Sequence, residues 1–198
     1  MTCVTCSCDE VGIRSGDTTR EPRHEPPAAC RTVAGRRRRI RGNRAAEEAP
    51  IDCKDATHSA PGFWIGHWSV SPTGTKTPVA TSRIEWIVGD CAIRETFEQT
   101  IGPGGKPMIY HGTSYTAYDT NEKTWRQFYV DDQGHASSFH GGIDDGKMVL
   151  VTDGPAVINR MTVSAQADGS VRQQGEFSTD GGKTWQAGYD FTYLRMAE

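Results

Sequence analysis

From residue 61 to the end, the chain is a succession of short segments of alternating apolar and polar residues, broken by turn signals every 8 to 14 residues. The turns are SPTG, Gly89-Asp90, IGPGGKP (101–107), TNEK, DQG, DDG, Ala167-Asp168-Gly169 and DGGK. Between them lie FWIGHWSV (63–70), SRIEWIVG (82–89), CAIRETFEQT (91–100), MIYHGTSYTAYD (108–119), TWRQFYVD (124–131), HASSFHGGI, KMVLVTD, AVINRMTVSAQ (156–166), SVRQQGEFST (170–179) and TWQAGYDFTYLRM. Side chains alternate across a strand, and closely spaced Gly, Asp and Asn signals demand hairpins, so this pattern predicts about ten antiparallel strands. No 12-residue window carries a helical period, apart from one short turn over Cys53 to His58. Sequential hairpins favour an up-and-down meander, which removes its exposed edges by closing into a barrel. The fold expected is all-β: an antiparallel, up-and-down, lipocalin-like barrel preceded by a disordered N-terminal tail.

Composition sets the boundary of that domain. Residues 61–198 hold all five tryptophans, all six tyrosines and all six phenylalanines, whereas the first 60 hold five of the six cysteines and the run RRRRIR at Arg36 to Arg41. So little apolar surface does not offset the entropy of ordering a chain, so residues 1–55 are expected to be a disordered Arg/Pro-rich leader and 56–198 a single barrel domain. A start codon placed too far upstream would produce a leader of the same texture. No stretch approaches the roughly 20 apolar residues of a membrane-spanning helix, and the N-terminus lacks the apolar core of a signal peptide. The arginine run is offset by Glu47, Glu48 and Asp52 and the net charge is -3, so a solvated tail is expected rather than a nucleic-acid contact.

One motif points elsewhere. STDGGKTW (178–185) fits the Asp-box pattern known from β-propeller glycan enzymes. A propeller needs at least about four blades of some 40 to 50 residues, and the box occurs once, so it reads as a hairpin turn. Asp180 is placed to bond backbone amides, Gly182 to take positive φ, and Trp185 to pack against the core.

The segments GFWIGHWSV, TSRIEWIVGDCAIRETF and STDGGKTWQ resemble domain-of-unknown-function family 1579, bacterial proteins that read Phe-Trp-x-Gly-x-Trp-x-Val, an Arg-Ile-Glu strand, a Gly-x-Cys step and a Ser-x-Asp-Gly-Gly-x-Thr-Trp turn. The resemblance covers roughly residues 50–195. It implies a calycin-like barrel, often exported, with no established reaction. In that frame Gly66-His67-Trp68 is the Gly-x-Trp that closes a lipocalin barrel, with Arg195 as the cation over the indole and Arg160 second. The resemblance also implies a Cys53–Cys91 disulfide, worth roughly 3 to 4 kcal/mol and formed in a periplasmic or secreted setting; in a reducing cytosol the pair is two buried thiols.

Chemistry-bearing constellations are sparse. Cys3, Cys6 and Cys8 with His24 and Cys30 lack the defined second half of a zinc knuckle, so no metal is expected. His67, His111, His135 and His140 include a conceivable haem ligand, His111 foremost in its aromatic strand, but a lone strand histidine is ordinarily hydrogen-bonded structure, and no cofactor is expected. Glu85, Glu95 and Glu98 lie on neighbouring strands without signs of converging as a glycosidase pair. No Gly-x-Ser-x-Gly elbow, phosphate loop or His-Glu-x-x-His helix is present. The leading expectation is a non-enzymatic barrel binding a small apolar molecule, lined by Trp86, Phe97, Tyr110, His111, Tyr115, Trp125 and Phe128. The alternatives are a structural or interaction domain with a filled core, and a hydrolase or isomerase.

Overall fold

A computed structural model describes residues 51–154 and 156–197. The disorder expected of the leader, the cysteine knuckle and the arginine run fall on residues 1–50 and lie outside the described residues. Ten strands form one closed antiparallel barrel in which each strand pairs with its neighbours in sequence and the last closes on the first: β1 (Gly66–Pro72), β2 (Ala80–Ile87), β3 (Ala92–Ile101), β4 (Pro107–Asp119), β5 (Thr124–Asp131), β6 (Ala136–Asp144), β7 (Lys147–Thr152), β8 (Ile158–Ala165), β9 (Val171–Ser178) and β10 (Gln186–Arg195). The turn signals explain this order, because each permits a hairpin and none requires a crossover.

The short turn expected before the first strand is a helix, α1 (Ala56–Ser59), capped by Asp55, whose carboxylate accepts from the His58 amide at 2.8 Å. It runs into a 3-10 turn, Ala60–Trp64, started by Pro61. Phe63 and Trp64, read from the alternation as the beginning of the first strand, belong to this turn. Proline's fixed φ suits the turn, and the chain extends only from Gly66.

Helix and turn sit at one end of the barrel, where the core is packed solid. Trp64, Trp68, Val70, Ile84, Ile93, Met148, Leu150, Val163, Val171 and Tyr193 are buried there, with Trp86 and Tyr118 packed against them. His58, itself buried, meets the Tyr118 ring edge-on at 5.4 Å and bonds Asp55 at 2.8 Å. Cys53 and Cys91 form a disulfide with Cα atoms 4.9 Å apart, which ties the segment before α1 to the β2–β3 turn. The opposite end carries the β1–β2, β3–β4, β5–β6, β7–β8 and β9–β10 connections, and there the interior is not filled.

The strand closing the barrel holds the Trp68 indole. Trp68 and Arg195 are direct cross-strand partners, the Arg195 guanidinium lies 4.3 Å from the ring centroid, and its Nη2 donates to the Ile65 carbonyl at 3.1 Å. A Cβ on Gly66 would overlap that guanidinium, so glycine is what admits the stack. Replacing Arg195 with Met is expected to remove about 1 to 2 kcal/mol of stability, read as a lower midpoint in urea unfolding. An unchanged midpoint would mean that the stack holds nothing together.

Candidate functional site

A cavity of about 460 Å³ occupies the open half of the barrel. This is a volume typical of sites for small organic molecules. Its wall is assembled by strand alternation: Glu95, Phe97 and Gln99 from β3, Tyr110 from β4, Gln127 and Tyr129 from β5, Phe139 from β6, Met161 from β8, Gln173 and Phe177 from β9, and Tyr189, Phe191 and Tyr193 from β10. Two glycines make room for the larger rings. A Cβ on Gly112 would overlap the Tyr129 phenol, and one on Gly175 would overlap the Tyr189 ring. The register of β10 slips between Ala187 and Tyr189, a bulge at Gly188 where Tyr189 meets the cavity.

The rings form two linked groups. Phe97 meets Tyr110 edge-on at 6.2 Å and lies tilted against Phe191 at 6.3 Å, and Phe191 stacks on Tyr189 at 5.5 Å. The Tyr110 and Tyr129 hydroxyls are 2.5 Å apart, and Tyr110 also donates to Asp131 at 3.3 Å. Burial, then the Tyr110 hydroxyl, holds the Tyr129 phenol far above its ordinary range, so it stays neutral.

Where the open half meets the packed half, the side chains turn polar. Glu95 is 3% exposed. Its Oε1 accepts from Ser82 Oγ at 2.9 Å across the β2–β3 ladder. Burial pushes its carboxyl up to about 7, against the smaller opposing effect of the Ser82 hydrogen bond. Beside it Gln127 donates to Thr116 at 3.0 Å and the Tyr193 hydroxyl donates to Gln173. Ser114, the cross-strand partner of both Glu95 and Tyr129, is buried with no hydrogen-bond partner for its Oγ among the described residues. The lumen is thus an aromatic well with a floor of one carboxyl, two carboxamides and a phenol.

The residues expected to line the cavity are dispersed by this geometry. Phe97 and Tyr110 are on its wall. Trp86 and Trp125 point inward but at the filled end; Trp125 instead borders a smaller depression with Thr57, Ala60, Tyr118 and Gly141. Tyr115, Phe128 and His111 face outward, which corrects the expectation for all three. In β4 the even positions point inward and in β5 the odd ones, so Tyr115 (53% exposed) and Phe128 (50% exposed) meet instead as cross-strand partners on the outer wall. His111 lies on that face too, bonded to Asp132 at 3.0 Å. His135 pairs with Asp131 at 3.0 Å and His140 with Asp153 at 3.4 Å. Among the described residues no group of three or more His, Cys, Asp or Glu side chains gathers as a metal site.

The three glutamates separate likewise. Glu85 sits outside between Arg83 and Arg94, whose hydrogen bonds hold its carboxyl below the usual range, and Glu98 is exposed. Only Glu95 enters the interior, so no carboxylate pair forms. From the sequence, Glu95 is weighed only as half of a carboxylate pair and Gln127 and Gln173 are not singled out, although each stands in an inward series: Ile93-Glu95-Phe97, Trp125-Gln127-Tyr129 and Val171-Gln173. A polar residue in an apolar alternation was the available signal.

The Asp box is the β9–β10 turn on the open rim. Asp180 accepts from the amides of Lys183 (3.0 Å) and Thr184 (2.9 Å) and from the hydroxyls of Thr184 (2.6 Å) and Ser178 (2.8 Å). These bonds, led by those of Thr184, hold its carboxyl at about 2. Gly182 has the expected positive φ of 85°. Trp185 does not reach the core: it is half-buried on the rim, its Nε1 bonded to the Gly182 carbonyl at 3.1 Å and its ring covered by the Arg160 guanidinium at 3.9 Å. Arg160, the second candidate partner for Trp68, is committed there, also pairing with Glu176 at 2.8 Å. Among the described residues no helix is long and apolar enough to cross a membrane. No protein-family model matches the chain, and no curated protein matches it.

Proposed function

We propose that the barrel is a carrier or sensor that holds one small, mainly apolar molecule in its lumen. The observation that supports this best is the half-empty interior: about 460 Å³ walled by Phe97, Tyr110, Phe139, Phe177, Tyr189 and Phe191, above a hydrogen-bonding floor. Rings packed solidly around the axis would serve a purely structural domain, whereas apolar walls around a few polar groups suit recognition of an organic ligand. The proposed site residues are Phe97, Tyr110, Phe191 and Tyr189 as walls and Glu95, Gln127, Gln173 and Tyr193 as the floor. Membership of domain-of-unknown-function family 1579 is part of the same proposal, supported by the Gly-x-Trp strand, the Cys53–Cys91 pair and the Asp-box turn.

The test is a titration of the full chain with a neutral solvatochromic dye such as Nile red. One-to-one saturable binding is expected, weakened about tenfold or more by Ser137→Trp. Ser137 lies on the cavity wall, and the indole would occupy the space the dye needs. Absence of saturable binding, or equal binding by a folded Ser137→Trp variant, overturns the proposal.

A further inference from the structure

Resting on the ligand-binding reading of the lumen, we propose that its occupant is an organic cation: an arylalkylamine whose ammonium group enters first and pairs with Glu95, while its ring lies among Phe97, Tyr110 and Phe191.

The floor is asymmetric in charge. Glu95 is buried, and one hydroxyl, that of Ser82, bonds it at 2.9 Å. The groups around it are neutral: Ser82 on β2, Ser114 on β4, Gln127 and Tyr129 on β5, Gln173 on β9, Tyr189 and Tyr193 on β10. The phenols of Tyr129 and Tyr193 are both pushed upward, burial being the larger cause, and carry no charge at neutral pH. Of the described residues around the cavity, Arg160 alone is cationic, and it is engaged by Glu176 at 2.8 Å and by the Trp185 ring at 3.9 Å. Toward the mouth lie two more carboxylates, Glu176 on the cavity wall and Asp131, which accepts from Tyr110 at 3.3 Å and pairs with His135 at 3.0 Å.

A buried carboxylate without a cation is costly, and an incoming ammonium supplies the missing partner. The same geometry discriminates between ligands. A carboxylate-headed molecule would bring a second negative charge against Glu95 in a poorly screened interior, and a neutral alcohol would leave Glu95 uncompensated. The walls favour the cation as well, because ring faces carry negative electrostatic potential and attract ammonium groups within about 6 Å. Acceptors are at hand besides Glu95: Gln127 spends its amide nitrogen on Thr116, which leaves its carbonyl oxygen to a donor.

Calorimetric titration of the full chain at pH 8 with naphthylethylamine, naphthylethanol and naphthylpropionate separates these chemistries, since the three share one ring and differ in the head group. The amine is expected to bind one-to-one and at least about tenfold tighter than the alcohol, with the propionate weakest. In Glu95→Gln the amine should lose its advantage and bind no tighter than the alcohol, while an unchanged near-ultraviolet circular dichroism spectrum shows the barrel still folded. Equal binding of amine and alcohol, tighter binding of the propionate, or an amine preference surviving in Glu95→Gln overturns the organic-cation proposal while dye binding leaves the lumen reading standing. If neither dye nor amine binds, both readings fall.

Discussion

Glu95→Gln is expected to stabilise the protein at pH 8 by about 3 kcal/mol and to leave it nearly unchanged near pH 4.5, measured as unfolding midpoints in urea. The sign follows from the direction of the shift. Burial raises the Glu95 carboxyl from 4.5 to about 7 in the folded chain, so between those values the native state holds a proton that the unfolded state has released. The contribution of the neutral acid is complete below about 4.5 and is lost as pH rises through about 7, after which the barrel carries a buried anion with only Ser82 bonded to it. A glutamine is neutral at every pH and its oxygen can still accept from Ser82. The wild-type stability curve should therefore fall across this window while that of the variant does not. Parallel curves would show that Glu95 ionises as freely as a surface carboxylate.

Reduction of Cys53–Cys91, or replacement of both residues by serine, is expected to cost about 4 kcal/mol. The link closes a loop spanning 38 positions, and the entropy it removes from the unfolded chain grows with that length. For a folded unit of this size the loss corresponds to a melting point lower by about 10 °C. The native-state effect should be local, because the bridge fastens α1 and the 3-10 turn that carry His58 and Trp64 onto the filled end. Hydrogen exchange is the measurement that checks this: amides from Asp55 to Trp64 should lose protection on reduction well before those of β3, β4 and β5. Uniform loss across the barrel, or no loss of stability, would contradict it.

The barrel was legible because turn chemistry and alternation speak to the same strands. Gly89-Asp90, Ala167-Asp168-Gly169 and DGGK permit tight reversals, and the intervening segments are too short and too regular in alternation for anything but hairpins. The first strand was read too early because Phe63 and Trp64 resemble strand residues by type, while Pro61 and the tertiary demand for a plug wind them into a 3-10 turn. The binding face was less legible for a different reason. An aromatic residue's type says nothing of parity: Tyr110 and Tyr115 share a strand five positions apart and so face opposite sides of the wall, as do Trp125 and Phe128, three apart. Even the correct parity leaves depth undetermined, which is how Trp86 and Trp125 point inward and still miss the lumen. Depth depends on which end the capping segment fills, a property of the closed barrel rather than of any strand.

The most direct test is the carboxyl carbon NMR titration of glutamate-labelled protein, with and without saturating Nile red. One resonance, absent in Glu95→Gln, is expected to titrate near pH 7 in the free protein and to move when the dye occupies the lumen above it. A spectrum in which every glutamate titrates in the ordinary range near 4 to 5, or in which the Glu95 resonance ignores the dye, would contradict a ligand-accepting lumen floored by a buried acid.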